Sequence, residues 1–363
     1  MPLWTRRSKD VVTVEERNMI GVAVVGYGYW GPNLVRNFWD TPGARLVSVC
    51  DLRKERLAGV QGRYPAVEIT DNFSDVLADP RVDAVAIATP VSSHFELAMR
   101  ALQAGKHVFV EKPMAPTTEQ ALRLVDEAHR RGLVLAVDHT FVHTGAVKKM
   151  RELVDSSLGD VYYYDSVRVN LGLFQHDVSV VWDLAVHDLS IMDYVLPQKP
   201  VAVSAMGVSH VAGEPENIAY LNLFYENNLI AHVHVNWLAP VKVRRTLVGG
   251  SRKMIVYDDL EPSEKIKVYD KGITLNGDPV KNESKVYQMR VGYRTGDMWA
   301  PTLDMREALG VELREFVSCV EQNTAPVADG HAGLRVVQVL EAATESLAQR
   351  GRVIDLQPVS VTV

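Results

Sequence analysis

The chain has 363 residues, of which 47% are hydrophobic and 23% charged, a composition typical of a globular protein with about two domains. No uninterrupted apolar run reaches the roughly 18 residues that a membrane span needs, and a net charge of −6 argues against a nucleic-acid partner. Two distant cysteines, Cys50 and Cys319, form neither a disulfide framework nor a zinc-ligand pattern. We therefore expect a cytoplasmic protein without a membrane or nucleic-acid partner.

The N-terminal segment 1–18 carries charged residues where a secretion signal needs an apolar core. We interpret it as an extension ahead of a domain that begins near Met19. A change of pattern near residue 140 divides the remainder. The sequence therefore predicts a first domain over 19–140 and a second over 141–363.

Residues 19–140 alternate short apolar runs with amphipathic helical patterns. The runs that predict strands are "IGVAVV", "ARLVSVCD", "VDAVAIATP", "KHVFVEKP" and "LVLAVDH". This alternation indicates βαβ units and a parallel sheet. In such sheets ligands bind beyond the C-terminal ends of the strands.

Residues 141–363 begin with a helical pattern, "GAVKKMRELVDSSLG", and continue with long alternating runs. The turns "ENN" and "GGS" between these runs predict hairpins, and therefore a mostly antiparallel sheet. Two further helices are predicted at about 304–321 and 332–349.

The glycine-rich stretch "VAVVGYGYWGPNLVRNF" lies between a predicted strand and a predicted helix. Gly26, Gly28 and Gly31 form the pattern G-x-G-x-x-G, in which the first glycine permits a tight turn and the second lets the backbone approach a pyrophosphate. The third permits close packing, and the helix N-terminus attracts the anion. The pattern predicts a Rossmann dinucleotide-binding domain, and we count Tyr29 and Trp30 between the glycines among its cofactor-binding residues.

Asp51 ends the second predicted strand, 20 residues after Gly31. A carboxylate there can bind the ribose 2′-hydroxyl of NAD and repel the 2′-phosphate of NADP. Arg53 and Arg56 follow and weaken this preference, because an arginine just past the strand can accommodate a 2′-phosphate. We expect NAD as the cofactor, with NADP the less favoured alternative.

The sequence "VFVEKP" places Glu111, Lys112 and Pro113 directly after an apolar strand. A carboxylate and an ammonium are rarely core residues, so we expect them at the exposed end of the strand, facing the same crevice. Pro113 restricts Lys112 to an extended conformation. A solvated surface salt bridge is the alternative interpretation.

A second group of polar residues occurs in "VWDLAVHDLSIMDYVL", where Asp183 and His187 are four residues apart and are expected on one helix face. A helix-capping Asp and a buried structural His are the alternative. His139 and His143 have the same spacing but follow a strand, so we do not expect a metal site there.

These motifs together resemble the Gfo/Idh/MocA family, named for glucose-fructose oxidoreductase, inositol dehydrogenase and rhizopine catabolism. The resemblance extends from Met19 to the C-terminus and rests on "GYGYWG", the Asp after "SVC", "ATPVSSHFELAMRALQAGKHVFVEKP" and the D-x-x-x-H of "WDLAVHD". It implies an α/β fold in which a Rossmann domain is joined to an α/β domain with an open, mostly antiparallel sheet. It also implies redox chemistry on a sugar or cyclitol hydroxyl.

The resemblance implies roles for individual residues. Lys112 corresponds to the catalytic lysine of the Glu-Lys-Pro motif, and Asp183 and His187 to the family's Asp/His pair. The residues expected to contact the cofactor are Thr89, Pro90, His94 and Glu111, together with Lys112.

The expected chemistry is oxidation of an alcohol. His187 is the expected base, because an imidazole with an ordinary pKa near 6.5 suits proton removal at neutral pH. Lys112 is expected to stabilise the negative charge that develops on the substrate oxygen. Asp183 is expected to orient the imidazole or to hold a neighbouring hydroxyl.

The expected substrate is a nucleotide-linked sugar, of the UDP-N-acetylglucosamine or uronate type, oxidised at its 3-hydroxyl. Stretches such as "TPVSSHF" resemble the polysaccharide-locus branch of the family. In addition, Arg168 and Asn170 alternate on one face of the strand "DSVRVN" and could offer a cation and an amide to a diphosphate or carboxylate. Pairing of Arg168 with a surface carboxylate is the alternative interpretation.

The long alternating strands, together with the resemblance, predict a homodimer or homotetramer formed through the open sheet face. Three other functions remain open: an NADPH-dependent keto-sugar reductase, a dehydrogenase of inositol or free sugars, and a non-catalytic nucleotide-binding regulatory protein.

Overall fold

The computed structural model describes residues 19–172, 178–275 and 291–357. The predicted N-terminal extension, 1–18, lies outside them. In the described part of the chain, no helix is long and apolar enough to cross a membrane. Two sheets, one parallel and one mixed, organise the molecule.

The first sheet has six strands in the order β3-β2-β1-β4-β5-β6, and every neighbouring pair is parallel. The strands are β1 Ile20–Val25, β2 Ala44–Cys50, β3 Glu68–Thr70, β4 Ala84–Ile87, β5 His107–Glu111 and β6 Leu135–Asp138. The intervening helices are α1 Gly31–Asp40, α2 Lys54–Arg63, α3 Phe73–Ala78, α4 His94–Gln103 and α5 Thr118–Arg131. This order confirms the predicted Rossmann fold, with its switch point between β1 and β4.

The central strands of this sheet are buried on both faces, as their unbroken apolar runs require. One face packs against α4 and α5, and the other against α1 and α2. Charged residues consequently concentrate where the strands end.

The second sheet has nine strands in the order β16-β13-β12-β11-β7-β10-β9-β8-β17 among the described residues. Its main strands are β7 Val161–Leu171, β8 Ala202–Val208, β9 Ile218–Phe224, β10 Ile230–Asn236, β11 Leu238–Gly250, β12 Met254–Asp258 and β13 Ile266–Tyr269. Short edge strands are β16 Met298–Trp299 and β17 Ile354–Asp355, while β14 Gly272–Leu275 and β15 Val291–Arg294 form a separate hairpin. The β7–β10 pair is parallel and the others are antiparallel, so the mostly antiparallel sheet is confirmed.

Both predicted hairpins are present. The "ENN" turn joins β9 to β10, and the "GGS" turn joins β11 to β12. One face of the sheet packs against three helices, α6 Gly145–Ser156, α7 Val186–Val195 and α9 Gly330–Ala348. The other face exposes large side chains, including Met206, Tyr220 and Ile230.

Helix α8, Ala308–Gln322, packs on the first sheet although it falls within the predicted second domain. Leu313 and Phe316 are buried there, and the Phe316 ring lies edge-on to Phe109 of β5 at 5.5 Å between centroids. Helix α9 contributes side chains to both cores. The predicted unit 141–363 therefore does not keep all of its helices on its own sheet, because the apolar face of α8 completes the first core.

Candidate active site

The glycine turn follows β1 and is shaped by steric contact. Gly26 has φ +96°, and a Cβ there would lie 2.5 Å from the Ala88 carbonyl oxygen. A Cβ at Gly31 would lie 2.1 Å from the Gly26 carbonyl oxygen. Neither position admits a side chain, so the turn stays tight and places the N-terminus of α1 at the switch point.

Asp51 directly follows β2, beside this turn, and is 7% exposed. Its Oδ2 accepts a hydrogen bond from the Tyr27 backbone N–H at 2.7 Å, and its Oδ1 accepts one from Arg53 N–H at 2.8 Å. The Arg56 Nη1 lies 3.5 Å from Oδ2 and also borders Gly28. Asp51, a carboxylate of the kind that favours NAD, and Arg56, a cation that could accept a 2′-phosphate, therefore lie next to each other.

The loops after β4 and β5 are joined through His94. Its ring is buried, with Nδ1 2.8 Å from the Pro113 carbonyl oxygen and Nε2 2.8 Å from that of Thr89. Burial lowers the pKa of His94. Both ring nitrogens face backbone carbonyl oxygens, so this residue links the two loops. The cofactor contact that the resemblance implied for His94 stays a prediction. Thr89 and Pro90 carry the loop itself, where the Ser93 hydroxyl donates to Thr89 Oγ1 or to the Pro90 carbonyl, each at 2.8 Å.

The Glu-Lys-Pro segment lies at the end of β5, as expected. The Glu111 Oε2 accepts a hydrogen bond from the Lys112 backbone N–H at 2.9 Å. The Lys112 Nζ lies 3.2 Å from the Asp183 carbonyl oxygen and 3.5 Å from Asp183 Oδ1. The two halves of the molecule therefore bring together a lysine and an aspartate that are 71 positions apart.

Asp183 lies in a π-helical turn, Val181–Ala185, that precedes α7. The sequence predicted a regular helix, whereas such π-turns are rare and occur often at functional sites. The Trp237 Nε1–H donates to Asp183 Oδ2 at 3.0 Å. The carboxylate is thus oriented from one side by an indole and contacted from the other by Lys112.

His187 follows in the first turn of α7 and is partly buried. The Phe141 ring lies edge-on to it, at 5.1 Å between centroids. Burial lowers the pKa of His187 well below its ordinary value, and the positive charges of Lys112, Arg168 and Arg244 lower it further. The imidazole is consequently neutral at physiological pH, and the ordinary pKa near 6.5 does not apply.

Arg168 is not a free guanidinium. It is buried, its Nε lies 2.5 Å from Asp188 Oδ2, and its Nη2 lies 3.4 Å from Asp188 Oδ1. Asp188 also accepts a hydrogen bond from the Ser166 hydroxyl at 2.5 Å. The fork predicted for a diphosphate is therefore occupied by a buried carboxylate. Asn170, on the same face of β7, is partly buried.

Sequence reasoning missed a group of buried acids behind the crevice. Asp138, which ends β6 beside Glu111, accepts a hydrogen bond from Trp30 Nε1–H at 2.7 Å. Burial, followed by the nearby Asp138, raises the pKa of both Glu111 and Glu312 well above the ordinary value. The signal was present in "LVLAVDH", where Asp138 ends a strand just as Asp51 and Glu111 do.

Tyr29 and Trp30, the two other residues of the glycine turn that were predicted to bind the cofactor, have different surroundings. The Trp30 indole N–H donates a hydrogen bond to Asp138, while Tyr29 is 92% exposed.

Within the described ranges, no group of three or more His, Cys, Asp or Glu residues is arranged to hold a metal ion.

Comparison with protein families gives two matches. Residues 20–139 match a model described as the oxidoreductase family, NAD-binding Rossmann fold, GFO_IDH_MocA. Residues 147–256 match the GFO/IDH/MocA C-terminal domain.

Individual relatives agree with these matches. A UDP-N-acetylglucosamine 3-dehydrogenase of Acidithiobacillus ferrooxidans is 28% identical, over 90% of this chain and 98% of its own. Its solved structure has a TM-score of 0.76 at 26% identity, covering 91% of this chain and 98% of that one. A scyllo-inositol 2-dehydrogenase (NAD(+)) of Bacillus subtilis is 29% identical over 52% of this chain and 56% of its own. The structure of GenD2 from gentamicin A biosynthesis, solved in complex with NAD, has a TM-score of 0.78 at 24% identity, covering 98% of this chain and all of that one, and supports the fold.

Proposed function

Because the chain belongs to the Gfo/Idh/MocA family of oxidoreductases, we propose that it is an NAD-dependent dehydrogenase of a nucleotide-linked sugar. The substrate is of the UDP-N-acetylglucosamine or uronate type, and the reacting group is its 3-hydroxyl. The relative that matches over 90% of this chain and 98% of its own supports this choice.

The meeting of Lys112 with Asp183, one turn before His187, is the observation that carries the proposal. In oxidation, His187 accepts the proton of the substrate hydroxyl, and the Lys112 ammonium stabilises the charge left on the oxygen. Asp183, held by Trp237, fixes the position of Lys112. NAD, when bound, supplies the acceptor for the hydride.

The residues at the switch point fit a dinucleotide. A side chain at Gly26 or Gly31 would collide with neighbouring backbone, which keeps the turn tight, whereas a Cβ at Gly28 would meet only the Arg56 Nη1, at 3.4 Å. The backbone at Gly28 therefore leaves room for the approach of a pyrophosphate. Asp51 would hold the adenosine ribose and favours NAD. Arg56, 3.5 Å from Asp51, favours NADP if it turns towards a 2′-phosphate. Calorimetry with both cofactors tests the preference: we expect tighter binding of NAD, and equal or reversed affinities would contradict it.

The substrate is tested by incubating enzyme and NAD with UDP-sugars, dTDP-sugars, free hexoses and inositols while following nicotinamide absorbance. We expect turnover of a UDP-sugar that is mostly lost in Lys112→Ala and retained in Lys149→Ala, which removes a partly exposed cation from α6. Turnover of inositol or glucose with none of any nucleotide sugar would overturn the substrate and leave the dehydrogenase class intact.

A free polyol is the second candidate substrate, and one observation favours it. The Arg168 guanidinium, expected to bind a diphosphate, is instead paired with Asp188 in the interior. The inositol arm of the same assay therefore distinguishes the two candidates.

The oligomer is a further part of the proposal. The outer face of the nine-stranded sheet exposes the large apolar side chains of Met206, Tyr220 and Ile230, and exposed apolar surface on a sheet face favours association. We expect a homodimer or homotetramer through this face in sedimentation at micromolar concentration. A monomer would contradict it.

A further inference from the structure

A cavity of about 150 Å³ is lined in part by His139. The proposed catalytic residues, Lys112, Asp183 and His187, do not line it. One water needs only about 10–15 Å³ measured in this way, so the cavity has room for a polyatomic ligand. The lining residues that decide its chemistry are His139, Arg151, Ser190, Asp193, Lys199 and Arg335.

The lining of this cavity carries a net positive charge. Asp193 is the lining carboxylate, and Arg335 binds it through Nε at 2.9 Å and Nη2 at 2.7 Å. Lys199 approaches the same carboxylate at 3.0 Å. Arg151 is a third cation, with Nη1–H donating to the Tyr194 carbonyl at 2.8 Å. Three cations therefore face one carboxylate in the lining, a formal excess of two positive charges that Asp155, beside Arg151, reduces.

Solvent can reach the three cations that line the cavity. Their side chains are 35%, 40% and 39% exposed for Arg151, Lys199 and Arg335, so an ion in solution can reach them. Arg151 is partly neutralised by Asp155, which lies 2.6 Å away and does not line the cavity. Burial lowers the pKa of Lys199, and the positive charges of Arg335 and Arg151 lower it as well.

His139 is the second observation that points to a ligand. It is 2% exposed and lines the cavity, yet neither ring nitrogen has a hydrogen-bond partner among the described residues. Leaving a buried polar group unsatisfied is unfavourable, so such groups normally have a partner, which can be a ligand or an ordered water. Burial lowers the pKa of His139 to about 4, so the neutral ring presents one N–H donor.

We propose that this cavity is a binding site for a small oxyanion, either a phosphate or the carboxylates of a small dicarboxylic acid. Arg151, Lys199 and Arg335 provide the charge, and the His139 N–H provides a buried donor. The site is independent of the proposed function. It adjoins the catalytic helix, because the Ser190 hydroxyl, in the lining, donates to the His187 carbonyl oxygen at 2.8 Å.

Calorimetry of the NAD-saturated enzyme tests the site, because NAD fills the glycine turn, another place where an oxyanion could bind, and the cavity variants below separate the cavity from the substrate crevice. Inorganic phosphate and malonate are titrated separately, and the arm that shows binding identifies the oxyanion. We expect saturable binding to the wild type that is weakened at least about tenfold in Lys199→Met and in Arg151→Met. Lys149→Met is the matched control, since it removes a partly exposed cation from the same helix as Arg151 and Lys149 does not line the cavity.

A second readout guards against variants that fail to fold. Binding of the same anion to the wild type should shift the ¹⁵N resonances of His139, and the Lys149→Met control should show the same shift. Absence of saturable binding of either anion up to about 10 mM would mean that the cavity holds only water, and would overturn the proposal. Equal affinity in the wild type and a folded Lys199→Met would place the anion elsewhere and overturn it as well.

Discussion

Two ion pairs of the candidate site, Lys112–Asp183 and Arg168–Asp188, differ in the distance between their charged groups and in their burial. Lys112 and Asp183 are each partly exposed, with 3.5 Å between Nζ and Oδ1. Arg168 and Asp188 are almost fully buried and approach to 2.5 Å, with Ser166 as a further partner. The loose pair can exchange its partner for a substrate, whereas the tight pair is held by its surroundings. Sequence reasoning assigned both cations to ligands, and the difference in burial separates them.

Breaking the tight pair should have the largest effect. Arg168→Ala leaves Asp188 buried and without its cation, so we expect a loss of about 3–5 kcal/mol in the free energy of unfolding. Denaturant titration measures it. The double variant Arg168→Met/Asp188→Leu removes both charges and should recover most of that loss. A double variant as unstable as the single one would show that the pair itself, and not the abandoned charge, matters.

Breaking the loose pair should affect turnover instead of stability. Lys112→Ala removes the cation beside the reacting oxygen, and we expect kcat to fall by about 10²–10³, equivalent to about 2.7–4 kcal/mol. The melting temperature and NAD affinity should stay near those of the wild type, because the pair is partly exposed. Wild-type turnover in this variant would remove Lys112 from the mechanism.

Loosening the pair from its other side should have a smaller effect. Trp237→Phe removes the indole N–H that donates to Asp183 Oδ2, a hydrogen bond worth about 1 kcal/mol. We expect about a fivefold loss of kcat/KM in steady-state kinetics. Since the variant also alters packing, the melting temperature is measured alongside. An unchanged kcat/KM in a folded variant would contradict the positioning role.

The smallest effect concerns protonation of His187. Burial and the charge of Lys112 lower the pKa of its imidazole below the ordinary value, so the base is already neutral at pH values above about 6.5. We therefore expect kcat/KM to be independent of pH between about pH 6.5 and 8. The acid limb should lie below this window, since only there does the ring become protonated. In Lys112→Met the imidazole titration, followed by NMR, should move upward, because a positive charge has been removed. A downward shift would contradict the arrangement.

The parts of the site that could be predicted from sequence are those fixed by local geometry. Gly26, Gly31 and Asp51 each obey a steric or strand-end rule that the local sequence displays, and Lys112 follows directly from the end of a buried strand. The partners that decide a side chain's role could not be predicted, because they come from distant segments. Asp188 lies 20 residues from Arg168 on a helix, and Trp237 lies 54 residues from Asp183. The π-turn at Val181–Ala185 also leaves no periodic signal.

The position of α8 on the first sheet has a consequence for synthesis of the chain. The core beneath α1 and β5 is completed by Leu313 and Phe316, which are made about 175 residues after the last strand of that sheet, β6 Leu135–Asp138. During translation, the apolar face of the first sheet that α8 covers therefore stays exposed to solvent until Ala308–Gln322 leaves the ribosome. Domains of this kind fold late and are exposed to aggregation, so we expect the nascent chain to depend on chaperones until its last helices emerge.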